Sequence, residues 1–283
     1  MNPLPLDGIG ARVELRDGRK IPVVGLGVFQ TPPGAVTQQA VRWALEAGYR
    51  HIDTAAMYGN EVDVGTAVRE SGVPREEVFV TTKLWHTEQG YEPALRAARR
   101  SAEALGLGYI DLYLIHWPRA PTPEERLGSW KAFEELQTEG LVRSIGVSNF
   151  SPRHLEPILA RARSPPVVNQ IEFHPFVYDP EILAFCDRHK IRVEAYSPLT
   201  RNRRLDDPTI AEIARAHARS PAQVMIRWGL QHGVVELPKS VHRERIEENA
   251  RVFDFALSTD EMARLDALRD RRRVTQWDPT EIP

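Results

Sequence analysis

The sequence predicts a closed (β/α)8 barrel, preceded by an N-terminal β-hairpin and carrying two helices beyond the minimal repeat. Three observations carry that reading. Eight short apolar runs recur along the 283 residues. Longer stretches with helical period separate them. No run is followed by the Gly-rich fingerprint that opens a dinucleotide-binding doubly wound sheet.

The hairpin comes first: residues 12–22 alternate in character around Asp17-Gly18, a tight-turn signal. The apolar runs then fall near 23–26, 49–53, 78–83, 110–116, 142–147, 167–171, 193–196 and 234–237. Between them, Val41 and Leu45, then Leu95, Ala98, Ala102 and Leu105, then Trp130, Phe133 and Leu136 recur at helical spacing. Strands alternating with helices read as parallel βαβ units, and eight such units close a barrel. Ser151-Pro152 places a capping residue before a first-turn proline. Ser258-Thr259-Asp260-Glu261 has the form of a capping box. Two helical segments, 208–217 and 221–231, separate the seventh and eighth runs, and one of them is extra to a minimal barrel. A last helix over 259–270 follows the eighth unit. Gly25-Leu26-Gly27 is too short for a nucleotide fingerprint, and its glycines are expected to ease a tight barrel strand. A doubly wound sheet stays open as the alternative. No linker or low-complexity tract interrupts the pattern, so residues 1–283 are expected to form one domain.

Composition limits the partners. The formal net charge is −2, and the arginine runs are offset by acids, so nothing argues for nucleic acid. One cysteine, Cys186, excludes an intramolecular disulfide and a cysteine metal cluster. It is expected to be a small packed hydrophobe. No signal-peptide core and no membrane-length apolar run is present, and a cytoplasmic protein is expected. Lysine occurs only at positions 20, 83, 131, 190 and 239, in a chain whose cations are otherwise arginine.

In such a barrel the C-terminal strand ends face the active site. Asp53 ends the second run with Tyr58 just beyond it, Lys83 ends the third and His116 ends the fourth. Each has a bland explanation alone: a loop cap, a surface aromatic, a core histidine. Together they place four titratable groups on adjacent strand ends. Lys83 should point into the barrel mouth, where it needs a partner, and Asp53 is the obvious one. A cation beside Tyr58 is expected to lower the phenol and make it a usable acid.

The segments 48–55 with Tyr58-Gly59-Asn60-Glu61, Thr82-Lys83-Leu84-Trp85, 111–118, Gly146-Val147-Ser148-Asn149-Phe150, Asn169-Gln170-Ile171-Glu172, 195–199 and Pro238-Lys239-Ser240 resemble the signature segments of the aldo-keto reductase superfamily, in order and spacing. The bacterial-type aldehyde and keto reductases, such as the 2,5-diketo-gluconate and glyoxal reductases, are the similar group. The resemblance implies that NADPH reduces a small aldehyde, ketone or dicarbonyl. It implies a catalytic tetrad of Asp53, Tyr58, Lys83 and His116, with Tyr58 as proton donor. It also implies that Ser148, Asn149 and Gln170 bind the carboxamide and that Tyr196 stacks on the nicotinamide, with Ser197 and Leu199 following. Lys239, Ser240, Arg245, Glu248 and Asn249 would hold the adenosine 2′-phosphate and adenine. Phe29, Trp85, Trp117 and the tail residue Trp277 would wall the substrate pocket. The expected enzyme is a monomer with small-molecule partners, no metal and no membrane.

Three departures stand out. The segment after Leu199, Thr200-Arg201-Asn202-Arg203-Arg204, is short and basic, so cofactor enclosure there is open. Phe29 stands where many relatives have Trp. Glu236 lies in an apolar strand and must face out or find a partner. His174 is expected to be structural. Two other readings remain: a cofactor-binding subunit with little turnover, and a Schiff-base enzyme using Lys83 as nucleophile.

Overall fold

The computed structural model describes residues 3–275 and 277–282; Met1, Asn2, Gln276 and Pro283 are not among the described residues. A hairpin of β1 (Arg12–Glu14) and β2 (Lys20–Pro22) opens the chain, with Val13 opposite Ile21. Then come β3 (Leu26–Gly27), α1 (Ala35–Glu46), β4 (His51–Asp53), α2 (Glu61–Glu70), β5 (Phe79–Leu84), α3 (Tyr91–Leu105) and β6 (Ile110–Ile115). The second half runs α4 (Pro123–Glu139), β7 (Val142–Ser148), α5 (Pro152–Leu159), β8 (Val168–Glu172), α6 (Pro180–Arg188) and β9 (Arg192–Tyr196). It ends with α7 (Pro208–Ala216), α8 (Pro221–Gln231), β10 (Val235–Leu237), α9 (Arg243–Ala250) and α10 (Thr259–Asp266).

Strands β3 to β10 pair in parallel and in sequence order. A parallel bridge between Val24 and Glu236 joins the two ends. The Gly25 N–H donates to the Glu236 carbonyl at 2.8 Å and the Glu236 N–H to the Val23 carbonyl at 2.9 Å, which closes the (β/α)8 barrel. Gly25 is needed there, because a Cβ would stand 2.8 Å from the His51 ring and from Leu237. Every residue of β5 and β6 is buried, since helices cover one face and the barrel interior fills the other. Cys186 is buried, and burial pushes its thiol up to about 12. Among the described residues no helix is long and apolar enough to cross a membrane.

The helix starts follow their local chemistry. Ser258 accepts from the Glu261 N–H at 3.3 Å while Glu261 accepts from the Ser258 N–H at 2.7 Å. Ser151 caps α5 with proline in its first turn, and His154 in place of an acid accepts from the Ser151 N–H at 3.1 Å.

Two expectations are corrected. The last helix stops at Asp266 rather than Asp270, because the N–H groups of Asp270 and Arg271 turn to the Phe176 carbonyl, at 3.2 and 2.9 Å. Glu236 neither faces out nor finds a partner. It is 1% exposed, and neither carboxyl oxygen has a hydrogen-bond partner among the described residues. It points under α8 at Gly229, where a Cβ would fall 1.7 Å from Oε1. Burial holds its carboxyl well above the ordinary range, so the group avoids its charged form rather than pairing it.

Candidate active site

A cavity of about 610 Å³ opens at the C-terminal ends of the barrel strands. Asp53 ends β4, Tyr58 stands in the turn after it, Lys83 lies in β5 and His116 follows β6. Parallel register sets these strand ends side by side, with Asp53 paired to Thr81 and Lys83 to Leu114. Lys83 is fully buried. Its Nζ donates to Asp53 Oδ1 at 2.6 Å and to the Thr54 carbonyl at 2.8 Å, and it lies 3.4 Å from the Tyr58 hydroxyl. The Tyr58 ring lies 5.0 Å from Phe29 and 5.7 Å from the His116 ring.

The electrostatic balance at Tyr58 is the reverse of the one expected from the sequence. Burial first, then the Asp53 carboxylate, push the phenol well above its ordinary value, and Arg201 opposes them. The first reason is burial, which disfavours the phenolate, and the Asp53 carboxylate, paired to Lys83 at 2.6 Å, adds to it. Tyr58 is therefore a protonated donor across the working pH range. Burial, Lys83 and His86 hold His116 well below the ordinary histidine range, so its ring is neutral. His116 Nδ1 is buried without a partner among the described residues, which leaves Nε2 as the nitrogen available to the cavity.

Behind the tetrad the polar groups are interlocked. Gln170 Nε2 donates to Asp53 Oδ2 at 2.8 Å and to Glu194 Oε2 at 3.1 Å. Both amide hydrogens are thus committed, and the side chain has its carbonyl oxygen left to offer the cavity it lines. Ser148 donates to the Gln170 backbone carbonyl at 2.8 Å. Asn149, held at φ 65°, donates to the His116 carbonyl at 3.0 Å and accepts from the Tyr196 hydroxyl at 2.7 Å.

Asn149, Gln170, Tyr196, Ser197, Leu199 and Lys239 line the cavity together with Asp53, Tyr58 and His116. So do Phe29, Trp85, Trp117 and Trp277. Trp277 stacks on Trp85 at 6.0 Å and meets Trp117 edge-on at 5.1 Å. Ser148, Ser240, Arg245, Glu248 and Asn249 are not among the residues that line the cavity. Ser240 is fixed by the His242 N–H at 3.0 Å, and Arg245, Glu248 and Asn249 ride on α9, with Arg245 exposed in its first turn. Lys239 stands at the rim, its ammonium 3.5 Å from the Gln30 carbonyl and lowered by partial burial.

Three site residues escaped the sequence reading. Arg201 lines the cavity from the basic segment, its guanidinium 5.3 Å from the Phe29 ring. Thr200, Arg201 and Asn202 all take left-handed backbone, at φ 51°, 51° and 62°, which brings that short segment back over the rim. Glu194, an acid inside an apolar strand, was a readable signal of the same kind as Glu236. Thr275 had no sequence signal, because only tertiary folding carries the tail to the cavity.

The profile of the Aldo/keto reductase family matches residues 24–270. A 9,11-endoperoxide prostaglandin H2 reductase of Trypanosoma cruzi is 50% identical over 265 residues, covering 93% of each chain. A glyoxal reductase of Bacillus subtilis is 47% identical, covering 93% of this chain and 94% of its own. Among solved structures, an aldo-keto reductase from a Medee basin deep-sea metagenome superposes with a TM-score of 0.90 at 42% identity, covering 94% of this chain and 97% of its own. A Bombyx mori aldo-keto reductase in complex with NADP gives 0.88 at 36% identity, covering 98% and 96%.

Proposed function

Because the chain belongs to the aldo/keto reductase family, we propose that it is an NADPH-dependent oxidoreductase that reduces the carbonyl of small aldehydes, ketones or dicarbonyls to alcohols. One observation carries the reading: a protonated Tyr58 hydroxyl 3.4 Å from a buried Lys83 that is itself paired to Asp53, with Asp53, Tyr58 and a neutral His116 bordering one cavity.

NADPH, when bound, supplies the hydride. Everything else falls to the protein. Tyr58 donates its proton to the substrate oxygen, and the neutral His116 ring orients that oxygen by hydrogen bonding. The fixed Lys83 charge, 3.4 Å away, steadies the phenolate that the transfer leaves on Tyr58. Lys83 is a poor nucleophile in this setting, since its hydrogens are engaged by Asp53 and the Thr54 carbonyl. Asn149, Ser148 and the Gln170 side-chain oxygen suit an amide-bearing ring, and Tyr196 provides its stacking face. Lys239, with only a 3.5 Å contact to a carbonyl, keeps charge available for a phosphate, and Ser240, Arg245, Glu248 and Asn249 extend that surface to the adenosine. Phe29, Trp85, Trp117 and Trp277 form the substrate wall. The same reading makes residues 1–283 one catalytic domain, acting as a cytoplasmic monomer on small molecules.

The test is cofactor consumption against a panel of small aldehydes, dicarbonyls, keto acids, keto sugars and aromatic aldehydes, with NADPH and NADH compared. Turnover is expected with preference for NADPH. Absence of turnover across the whole panel rejects the proposal.

A further inference from the structure

We propose that Glu172 is the anchor that fastens the C-terminal tail across the cavity mouth, making it a positioning residue for substrate selectivity. The selectivity half rests on the proposed reductase activity, whereas the anchoring half stands without it.

Glu172 is the last residue of β8, and its side chain is fully buried. A buried carboxylate is costly unless donors surround it. Here the barrel supplies one, His174 Nε2 at 3.0 Å from Oε1. The tail supplies the others. The Val274 N–H donates to Oε1 at 2.6 Å, the Thr275 hydroxyl to Oε2 at 2.5 Å, and the Thr275 N–H approaches Oε2 at 3.4 Å. Burial would raise this carboxyl, but the bonds from His174, Thr275 and Val274 outweigh it and hold the group below its ordinary range. The carboxylate is thus ionised and largely satisfied by a segment more than a hundred positions away in sequence.

The anchored segment leads directly into the pocket wall. Thr275 and Trp277 both line the cavity. Trp277 lies against Trp85 and Trp117, and the Arg119 guanidinium covers its ring at 4.2 Å. A second fastening holds the far end: Arg153 donates to the carbonyls of Thr280 and Ile282, and the His154 ring bonds the Ile282 carbonyl at 2.8 Å. Trp277 is slung between these two points. Release at Glu172 therefore frees the indole while the tetrad, on other strands, stays in place. Larger substrates that lean on Trp277 should lose affinity, and the smallest aldehydes should not.

The test uses the full chain carrying Glu172→Gln, Thr275→Val or the conservative Thr275→Ser. Amide hydrogen exchange at Val274 and Thr275 reads the anchor directly and needs no turnover. The first two variants are expected to exchange there about tenfold faster, with Thr275→Ser near wild type. KM for aromatic aldehydes should rise by about tenfold in Thr275→Val, and by much more than the KM for the smallest aldehydes. Wild-type exchange in Thr275→Val overturns the anchor, and because that change is confined to the tail it decides the matter even if Glu172→Gln fails to fold. Faster exchange with an unchanged KM profile overturns the role in selectivity. Absence of all carbonyl turnover, with exchange still accelerated, sinks the reductase reading and the selectivity half but leaves the anchor standing.

Discussion

At the residue scale, the proposed reaction depends on one hydroxyl. Tyr58 is set by burial and by Asp53 to keep its proton, and the Lys83 ammonium at 3.4 Å would steady the anion left by the proposed transfer. Tyr58→Phe leaves the ring and its packing on Phe29 but removes the donor. Steady-state assays should show reduction falling by about 10²–10⁴-fold while NADPH affinity, from fluorescence titration, stays near wild type. Turnover that survives this change would mean that another group supplies the proton. Glu194 makes a second residue-level prediction. Burial, then the neighbouring Asp53 charge, raise its carboxyl to about 8, against the pull of its bond from Gln170 and of Lys83. Its neutral form is favoured in the fold, so its contribution to stability is complete below the ordinary carboxyl range and is lost as pH climbs through about 8. Above that point a second anion beside Asp53 competes for Lys83 and makes Tyr58 a weaker acid. Reduction is expected to decline above about pH 8, and Glu194→Gln to flatten that decline. A pH–kcat profile unaltered by the substitution would remove Glu194 from the site's electrostatics.

At the scale of elements, β10 and α8 meet through an arrangement that costs stability. Glu236 is buried with both oxygens unpartnered among the described residues, and Gly229 leaves room for it. Its folded-state carboxyl lies well above the ordinary range. The penalty is therefore absent below the unfolded carboxyl pKa of about 4.3 and grows as pH rises above it. Glu236→Val has similar volume and suits a strand. It should stabilise the protein by about 1–3 kcal/mol at neutral pH, with a smaller gain near the unfolded carboxyl pKa. Denaturant unfolding at several pH values measures this, and a gain independent of pH would contradict the account. By contrast, the boxes that start α5 and α10 are local agreements of sequence and structure, complete within four residues.

At the scale of the whole molecule, the cavity exists only because distant segments converge. Phe29 follows β3, Trp85 follows β5, Trp117 follows β6, and Trp277 arrives from the tail. Few fixed polar groups face this wall, and apolar contacts separate close analogues by only about 1–3 kcal/mol. Broad tolerance for small and aromatic aldehydes is expected. Trp277→Ala should raise KM for the larger and aromatic substrates of the panel with the chemical step largely intact, as read by kinetics on each substrate. If no KM moved, the tail would have no part in substrate binding.

Most of the barrel was legible because its signals are local and repeated. Eight apolar runs at regular intervals, the Asp17-Gly18 turn and the serine caps each declare an element without reference to the rest of the chain. The placement of Asp53, Lys83 and His116 was legible for the same reason, since strand ends of a parallel barrel share one face and these residues sit at or beside such ends. What the chain alone left open were quantities set by three-dimensional neighbours. The direction of the Tyr58 shift depended on its burial and on the Asp53 carboxylate nearby. The lack of partners at Glu236 depended on what α8 placed above it. The bonds that hold Val274 and Thr275 to Glu172 span about a hundred positions, and no periodicity records a contact of that reach. Local sequence determines which elements form and where reactive side chains emerge. Burial and long-range pairing, which only the closed barrel creates, determine their charge, their orientation and the wall that surrounds them.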